Sequence, residues 1–397
     1  MSHGRLVLIL SMVALLGALT QFAVTPLLSE IASDLRVSVA LVGQAVTVTF
    51  VAGATLGLLV GPIADHYGQR RLLLIGAFIA SLSLLAGAVS PDYGPFLISR
   101  VPAGLGGAMM VAIAIAIAST RLPENERRAG IGWIFTAFSA TAVLGFPFMT
   151  EIGERTSWRG SMVALSLMIL IAMAMVWVLV SPDANRSSAR LGVRQAFGAY
   201  ATILRSNAAL LLQVTNFVRT VSAFAVVTYL GAYLTEEFGV SLTNVGYAYV
   251  VCGVGYLVGT RLGDGRMFSL SFRAFQSLTA VVFGAMFCVP FLFGFGPLWT
   301  IVFVSLGSVA MSAGFVSLTI LISEETPTVA STALMLRQSG FGYGTAAAGG
   351  VGGVVLAVSD FAAFGLVVLA LSLFAALATQ WVPGRQHRAR PAELPGE

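Results

Sequence analysis

The stretch that decides the fold class reads LVLILSMVALLGALT, residues 6–20, and directly follows Arg5. It has no charged residue, and apolar character resumes through Phe22–Leu28. A helix of about 20 such residues crosses the ~30 Å of hydrocarbon in a bilayer. A signal peptide could begin in the same way, but no convincing small-x-small cleavage site follows. We therefore interpret this stretch as the first membrane span.

The rest of the chain repeats this character. Of the 397 residues, 57% are hydrophobic and 10% are charged, with a mean hydropathy of +0.90, whereas a soluble domain carries roughly 25% charged residues. The strict alternation over about ten residues that marks a β-barrel strand is absent from the sequence. The sequence predicts an all-α membrane protein with twelve spans, at 5–32, 40–60, 72–89, 95–118, 129–150, 160–181, 208–233, 242–260, 274–293, 298–322, 330–357 and 361–382.

Charge predicts the orientation of these spans. The chain has no Lys, and its net charge of +5 comes from Arg. Sixteen Arg residues fall in segments on one side, against Arg36, Arg155 and Arg159 on the other. The positive-inside rule therefore places both termini in the cytoplasm, and the basic balance does not indicate nucleic-acid binding.

Other residue types restrict the chemistry. Cys252 and Cys288 both lie in predicted spans, and the three His residues lie in polar segments, so we expect no disulfide, metal or cofactor. Neither HExxH nor GxSxG occurs, and the sequence does not indicate an enzyme.

A long polar stretch divides the chain into halves. We predict a six-helix bundle at 1–181, a cytoplasmic linker at 182–207, a second bundle at 208–384 and a basic cytoplasmic tail at 385–397. Equal halves indicate an internal duplication. Small residues recur at every fourth position in matching spans of the halves, which places each set on one helix face. These sets are Gly53, Gly57 and Gly61; Gly255, Gly259 and Gly263; Ala137, Thr141 and Gly145; and Gly340, Gly344, Ala348 and Gly352.

Motifs between and within the spans resemble those of a known family. The loop after span 2 reads Gly61-Pro-Ile-Ala-Asp65-His-Tyr-Gly68-Gln-Arg70-Arg71, and it resembles the signature of the major facilitator superfamily. Span 4 contains Arg100-Val-Pro-Ala-Gly104-Leu-Gly106-Gly107-Ala108, which is similar to the family's Gly-rich motif. Gly145-Phe-Pro147 resembles the span-5 motif of the drug–proton antiporter branch, in its sugar-efflux and arabinose-efflux-permease-like group.

The resemblance implies two pseudo-symmetric six-helix bundles around a cavity lined mainly by spans 1, 4, 7 and 10. Alternating access would come from rocking of the halves, with span 2 facing span 11 and span 5 facing span 8. We expect the four small-residue sets to lie at those contacts between the halves. The alternative is that they serve ordinary helix packing within the membrane.

Charges at the predicted cytoplasmic helix ends could form conformational latches. Asp65, with Arg70 and Arg71 nearby, could reach the positive N-terminal end of span 11. Asp264 could act in the same way towards span 5. The competing interpretation is that both are solvated loop charges.

Charges inside the spans are costly and usually face a cavity or a partner. We predict that Gln21, Arg100, Asn216 and Arg219 contact substrate or the coupling ion. Arg337 could contribute to the latch, or pair structurally with Asp65 or with backbone carbonyls.

No Asp or Glu lies deep in a span, and span 1 carries Thr20-Gln21 at its middle, where related proton antiporters often have a carboxylate. Because Gln cannot titrate, protons remain only a candidate coupling ion, and neutral polyols, anions or zwitterions are favoured over lipophilic cations. The leading hypothesis is a monomeric secondary transporter of the bacterial inner membrane that exports a small solute. The alternatives are an uptake porter or facilitator for an organic anion and a non-transporting membrane sensor.

Overall fold

The structure is a computed structural model, and it describes residues 3–181, 203, 205–263, 270–326 and 330–382. Twelve of its helices are long and apolar enough to cross a membrane. They are His3–Phe22, Val39–Tyr67, Gln69–Ala88, Tyr93–Arg121, Glu124–Ser139 with Phe146–Arg155, Trp158–Leu179, Asn207–Phe238, Leu242–Leu262, Phe272–Phe293, Pro297–Glu325, Ala330–Val358 and Phe361–Gln380, here called spans 1 to 12. The predicted all-α fold with twelve spans is thus confirmed.

Three predicted features fall beyond this description. Most of the linker at 182–207, Asp264 and the tail at 385–397 lie outside the described residues. Gly61 and Asp65 belong to the span 2 helix, but their side chains also lie outside the described part. The latch roles of Asp65 and Asp264 therefore stay predictions.

Two spans differ from the predicted helices, and both differences lie near a proline. Span 1 ends at Phe22, and a 3₁₀ turn that contains Pro26 leads into a separate short helix, Leu28–Leu35. Span 5 extends to Arg155 but is interrupted by a π-turn at Thr141–Gly145. Pro147 has no N–H to donate to the carbonyl one turn earlier, so a regular α-helix cannot continue through this point.

The two halves pack in the same way. Span 2 packs against span 4 as span 8 packs against span 10, and span 3 packs against span 6 as span 9 packs against span 12. Span 1 contacts span 5 as span 7 contacts span 11. The largest contacts between the halves join span 2 to span 11 and span 5 to span 8, which is the arrangement that the family resemblance implied.

Most helix starts that follow Ser or Asp are capped by that residue's own side chain. Six spans begin in this way, because an N-cap oxygen accepts an otherwise unpaired N–H of the first turn. The residues that cap them are Ser38, Asp92, Ser157, Ser206, Ser271 and Asp360. Span 8 differs, since Ser241 precedes it and makes no capping bond.

The small-residue sets on spans 2 and 8 pack inside their own halves. A Cβ on Gly104 of span 4 would lie 1.9 Å from the carbonyl oxygen of Thr49, and Gly53 faces the same helix. In the second half, a Cβ on Gly255 or Gly259 would lie 2.6 or 2.1 Å from a backbone carbonyl oxygen of span 10. These glycines therefore hold spans 2 and 4, and spans 8 and 10, together.

The small-residue sets on spans 5 and 11 also pack inside their own halves. Gly145 packs on Leu19 of span 1, and Gly340 and Gly344 pack on span 7. Gly57 has open space beside it. The prediction that these sets form the contact between the halves is therefore wrong for the described residues. Other small residues line that contact, and they are Gly43, Ala54, Gly342, Gly349, Gly246 and Gly253.

Candidate functional site

A cluster of aromatic rings lies near the middle of the bundle, where the two halves meet. Seven spans contribute one ring each to this central aromatic cluster. Its members are Phe22, Phe50, Phe146, Phe224, Tyr249, Phe315 and Phe341. All except Phe341 are buried, so the rings fill the space between the halves.

Two ring pairs in this cluster cross the boundary between the halves. The centroids of Phe22 and Phe224 lie 5.8 Å apart in a stacked arrangement. Those of Phe146 and Tyr249 lie 4.8 Å apart, edge to face. Both geometries are favourable for aromatic pairs. The cluster therefore joins spans 1 and 7, and spans 5 and 8, by apolar contacts that can separate without breaking an ion pair.

Polar side chains adjoin the cluster. Gln21 is buried between spans 2 and 4, next to Gly53 and Gly107. Asn216 is fully buried and donates from Nδ2 to the Arg337 carbonyl at 3.0 Å, while its Oδ1 has no partner. Arg337 donates from Nη2 to the Phe315 carbonyl at 3.4 Å, which matches the structural role considered for it. Asn216 and Arg337 thus lie together beside the cluster.

Arg100 is directed into the first half. It is fully buried, donates to the carbonyl of Ser83 at 3.3 Å and to the hydroxyl of Ser99 at 3.0 Å, and lies over the Phe96 ring. A further contact reaches the sulfur of Met162 in span 6. Spans 3, 4 and 6 therefore surround this guanidinium, away from the central aromatic cluster.

Arg219 is directed into the second half in a similar way. Its guanidinium donates to the carbonyls of Gln276 and Ala310, at 3.2 and 3.1 Å, and to the hydroxyl of Thr279 at 3.2 Å. It also lies over the Phe283 ring, 4.7 Å from the centroid. Arg219 therefore sits between spans 7, 9 and 10, so the structure does not bring it together with Gln21 or Arg100.

The basic pair of the loop motif also lies in the first half. Arg70 donates to the backbone carbonyl of Trp177 at the end of span 6, and its guanidinium lies over the Trp177 ring. Arg71 is exposed. Arg70 therefore ties spans 3 and 6 together at the predicted cytoplasmic end.

The predicted outer end holds a cavity of about 510 Å³ between the halves. Glu30 from the short helix and Glu154 from span 5 both line it. Oε1 of Glu30 accepts from the backbone N–H of Trp158 at 3.2 Å, and Oε2 of Glu30 is buried without a hydrogen-bond partner among the described residues. Burial raises the pKa of the Glu30 carboxyl, the Trp158 N–H lowers it, and the neighbouring carboxylates of Asp34 and Glu154 raise it further.

Beside this cavity, span 5 binds the start of span 8. Glu154 accepts from the backbone N–H of Thr243, and Oε2 of Glu151 accepts from the Thr243 hydroxyl at 3.1 Å. Sequence reasoning missed this contact. A signal was present, because Glu151 and Glu154 are three residues apart at a helix end and so share one face.

Comparisons with known proteins agree with this architecture. Residues 10–336 match the family model of the Major Facilitator Superfamily, and the chain belongs to this superfamily of membrane transporters. The superfamily expected from the motifs is thereby confirmed, whereas the antiporter branch stays a prediction. No group of His, Cys, Asp or Glu that could hold a metal occurs among the described residues.

Individual relatives are distant. The chain is 25% identical to the uncharacterized MFS-type transporter YtbD of Bacillus subtilis, over 85% of this chain and 84% of that protein. It is 28% identical to a chloramphenicol resistance protein of Streptomyces lividans, over 62% and 64% of the two chains. The solved structure of the nucleoside transporter NupG superposes with a TM-score of 0.79 at 13% identity, covering 96% of this chain and all of that one.

Proposed function

We propose that this protein exports a small solute across the bacterial inner membrane by alternating access, with both termini in the cytoplasm. The central aromatic cluster carries the proposal. It closes the space between two related halves, and its rings meet across the boundary through apolar contacts. Such a barrier can open when the halves rock, because no buried ion pair between the halves, among the residues that the structure describes, has to break.

The lining favours a neutral aromatic solute that carries hydroxyl groups. Rings supply stacking surface, and Gln21 and Asn216 supply hydrogen-bonding groups beside them. A relative named for chloramphenicol resistance supports this choice, since chloramphenicol is a neutral, hydroxylated aromatic compound. Arg337, whose Nε is buried without a partner, favours the second candidate, an organic anion taken up by the cell.

Flux of radiolabelled chloramphenicol into proteoliposomes tests the proposal. We expect uptake above that of protein-free liposomes, measured with and without an imposed pH gradient to reveal proton coupling. A parallel screen uses labelled organic anions and sugars. Flux of an anion alone would favour the uptake porter, and binding of any of these compounds without flux would overturn transport and favour a sensor.

A further inference from the structure

The first turn of span 8 lacks the side-chain cap that a Ser at the same position gives to other spans. Ser241 stands where Ser157, Ser206 and Ser271 cap their helices, but its side chain makes no such bond. A residue of the other half accepts the hydrogen bond instead. The carboxylate of Glu154 in span 5 binds the backbone N–H of Thr243 in the first turn of span 8.

The electrostatics of this contact are favourable. A helix start carries a partial positive charge, so a carboxylate placed on it is stabilised and forms a charge-assisted hydrogen bond. Glu151 strengthens the same contact through the hydroxyl of Thr243 at 3.1 Å. Arg155 binds the other oxygen of Glu151, and this leaves Oε2 directed at span 8.

We propose that Glu151, Glu154 and Thr243 form an outer latch that holds the halves together at their outer ends. The inference rests on the proposed alternating access, in which spans 5 and 8 separate at this end when the transporter opens outward. Separation breaks both bonds to Thr243 and uncaps span 8. The outer latch therefore biases the resting protein towards the state that is closed to the outside.

The surroundings allow the outer latch to open. The cavity of about 510 Å³ lies on one side of it, with Glu154 and Leu242 in its wall. A smaller cleft of about 250 Å³ lies on the other side and is lined by Glu151 and Thr243 themselves. Water in both spaces can hydrate the separated groups, so the cost of opening stays moderate.

Distances between spin labels on the two halves test the outer latch. Labels at Ser38→Cys and Ser359→Cys, both exposed at the outer ends of opposite halves, report the opening in a Cys252→Ala, Cys288→Ala background. The Glu154→Gln substitution keeps the size of the side chain but removes its negative charge. We expect about a fivefold rise in the ratio of long to short distances, because a neutral hydrogen bond is roughly half as strong as a charge-assisted one.

The matched control is Glu237→Gln, which removes an exposed carboxylate at the end of span 7. We expect its distances to match those of the parent. Thr243→Val removes the hydroxyl but keeps the backbone N–H, and we expect a smaller rise. Equal distances for Glu154→Gln, Thr243→Val and Glu237→Gln would overturn the outer latch. Because no substrate is present, this result is independent of the flux test.

Discussion

Arg219 is a cation inside the membrane with no carboxylate beside it among the residues that the structure describes. Its charge is balanced by carbonyl oxygens of spans 9 and 10 and by the face of Phe283. A guanidinium suits this role because its donors are spread over a plane and reach several carbonyls at once. Arg219 thus connects three helices of one half.

Replacing Arg219 by Ala should destabilise the second half. The change leaves the carbonyls of Gln276 and Ala310 without this donor and opens a void, so we expect the free energy of unfolding to fall by about 3 kcal/mol. Thermal unfolding of the purified protein in detergent measures this. Arg261→Ala, which removes an exposed Arg at the end of span 8, is the control.

The same variants distinguish a structural role from a substrate role. The fraction of Arg219→Ala that stays folded should still bind any transported solute. If Arg219→Ala leaves the melting temperature unchanged but abolishes solute binding, Arg219 belongs to the substrate site instead. The sequence located Arg219 within a span, because the position along a span gives a residue's depth in the membrane. It could not predict which neighbouring helices the side chain contacts, because that depends on how the helices pack.

At the scale of helices, glycine marks the places where backbones meet within a half. Gly104 touches span 2, and Gly259 touches span 10, with room for no side chain between the helices. Gly57 lies on the same sequence pattern as Gly53, but no atom of the described residues lies within 4 Å of an added Cβ there. The same residue type therefore has different importance at positions that look equivalent in sequence.

Substitution of these glycines by Ala should separate the two cases. Gly104→Ala would place a methyl group 1.9 Å from the Thr49 carbonyl oxygen, so spans 2 and 4 must move apart. We expect the yield of folded protein, measured by gel filtration, to fall at least about fivefold, because overpacking costs roughly 1–3 kcal/mol. Gly57→Ala should behave like the parent, and similar losses in both would contradict this packing.

The sequence predicted the twelve spans, and the family resemblance implied their pairing across the halves, but neither predicted which face of each helix meets its partner. The set Gly340, Gly344, Ala348 and Gly352 was visible, and so was a second set on span 11 that includes Gly342, Ala346, Gly349 and Gly353. Both have the spacing of one helix face. Spacing alone cannot tell which set meets span 7 and which meets span 2.

For the whole molecule, span 2 and span 11 form the largest contact between the halves. Thr47 donates to the Ala346 carbonyl at 2.8 Å, and Thr55 and Tyr343 share a hydrogen bond at 3.0 Å. Transport by rocking requires this contact to open in each cycle.

A disulfide across this contact should stop transport. An added Cβ at Gly350 lies 3.5 Å from Oγ1 of Thr47, a separation compatible with a disulfide between Thr47→Cys and Gly350→Cys. We expect oxidation to abolish flux of whichever solute the liposome screen identifies, and reductant to restore it. The variants are made in a Cys252→Ala, Cys288→Ala background, and the two single-cysteine variants are the controls. Full flux in the cross-linked protein would exclude rocking at this contact.

The π-turn at Thr141–Gly145 sets the angular register of the following part of span 5, Phe146–Arg155. One residue turns an α-helix by about 100°, so a one-residue change of winding re-aims every side chain beyond it. Glu151 and Glu154 lie beyond it and point at Thr243 only in the register that this turn produces. An unbroken α-helix through the same residues would carry both carboxylates around the axis, away from the start of span 8.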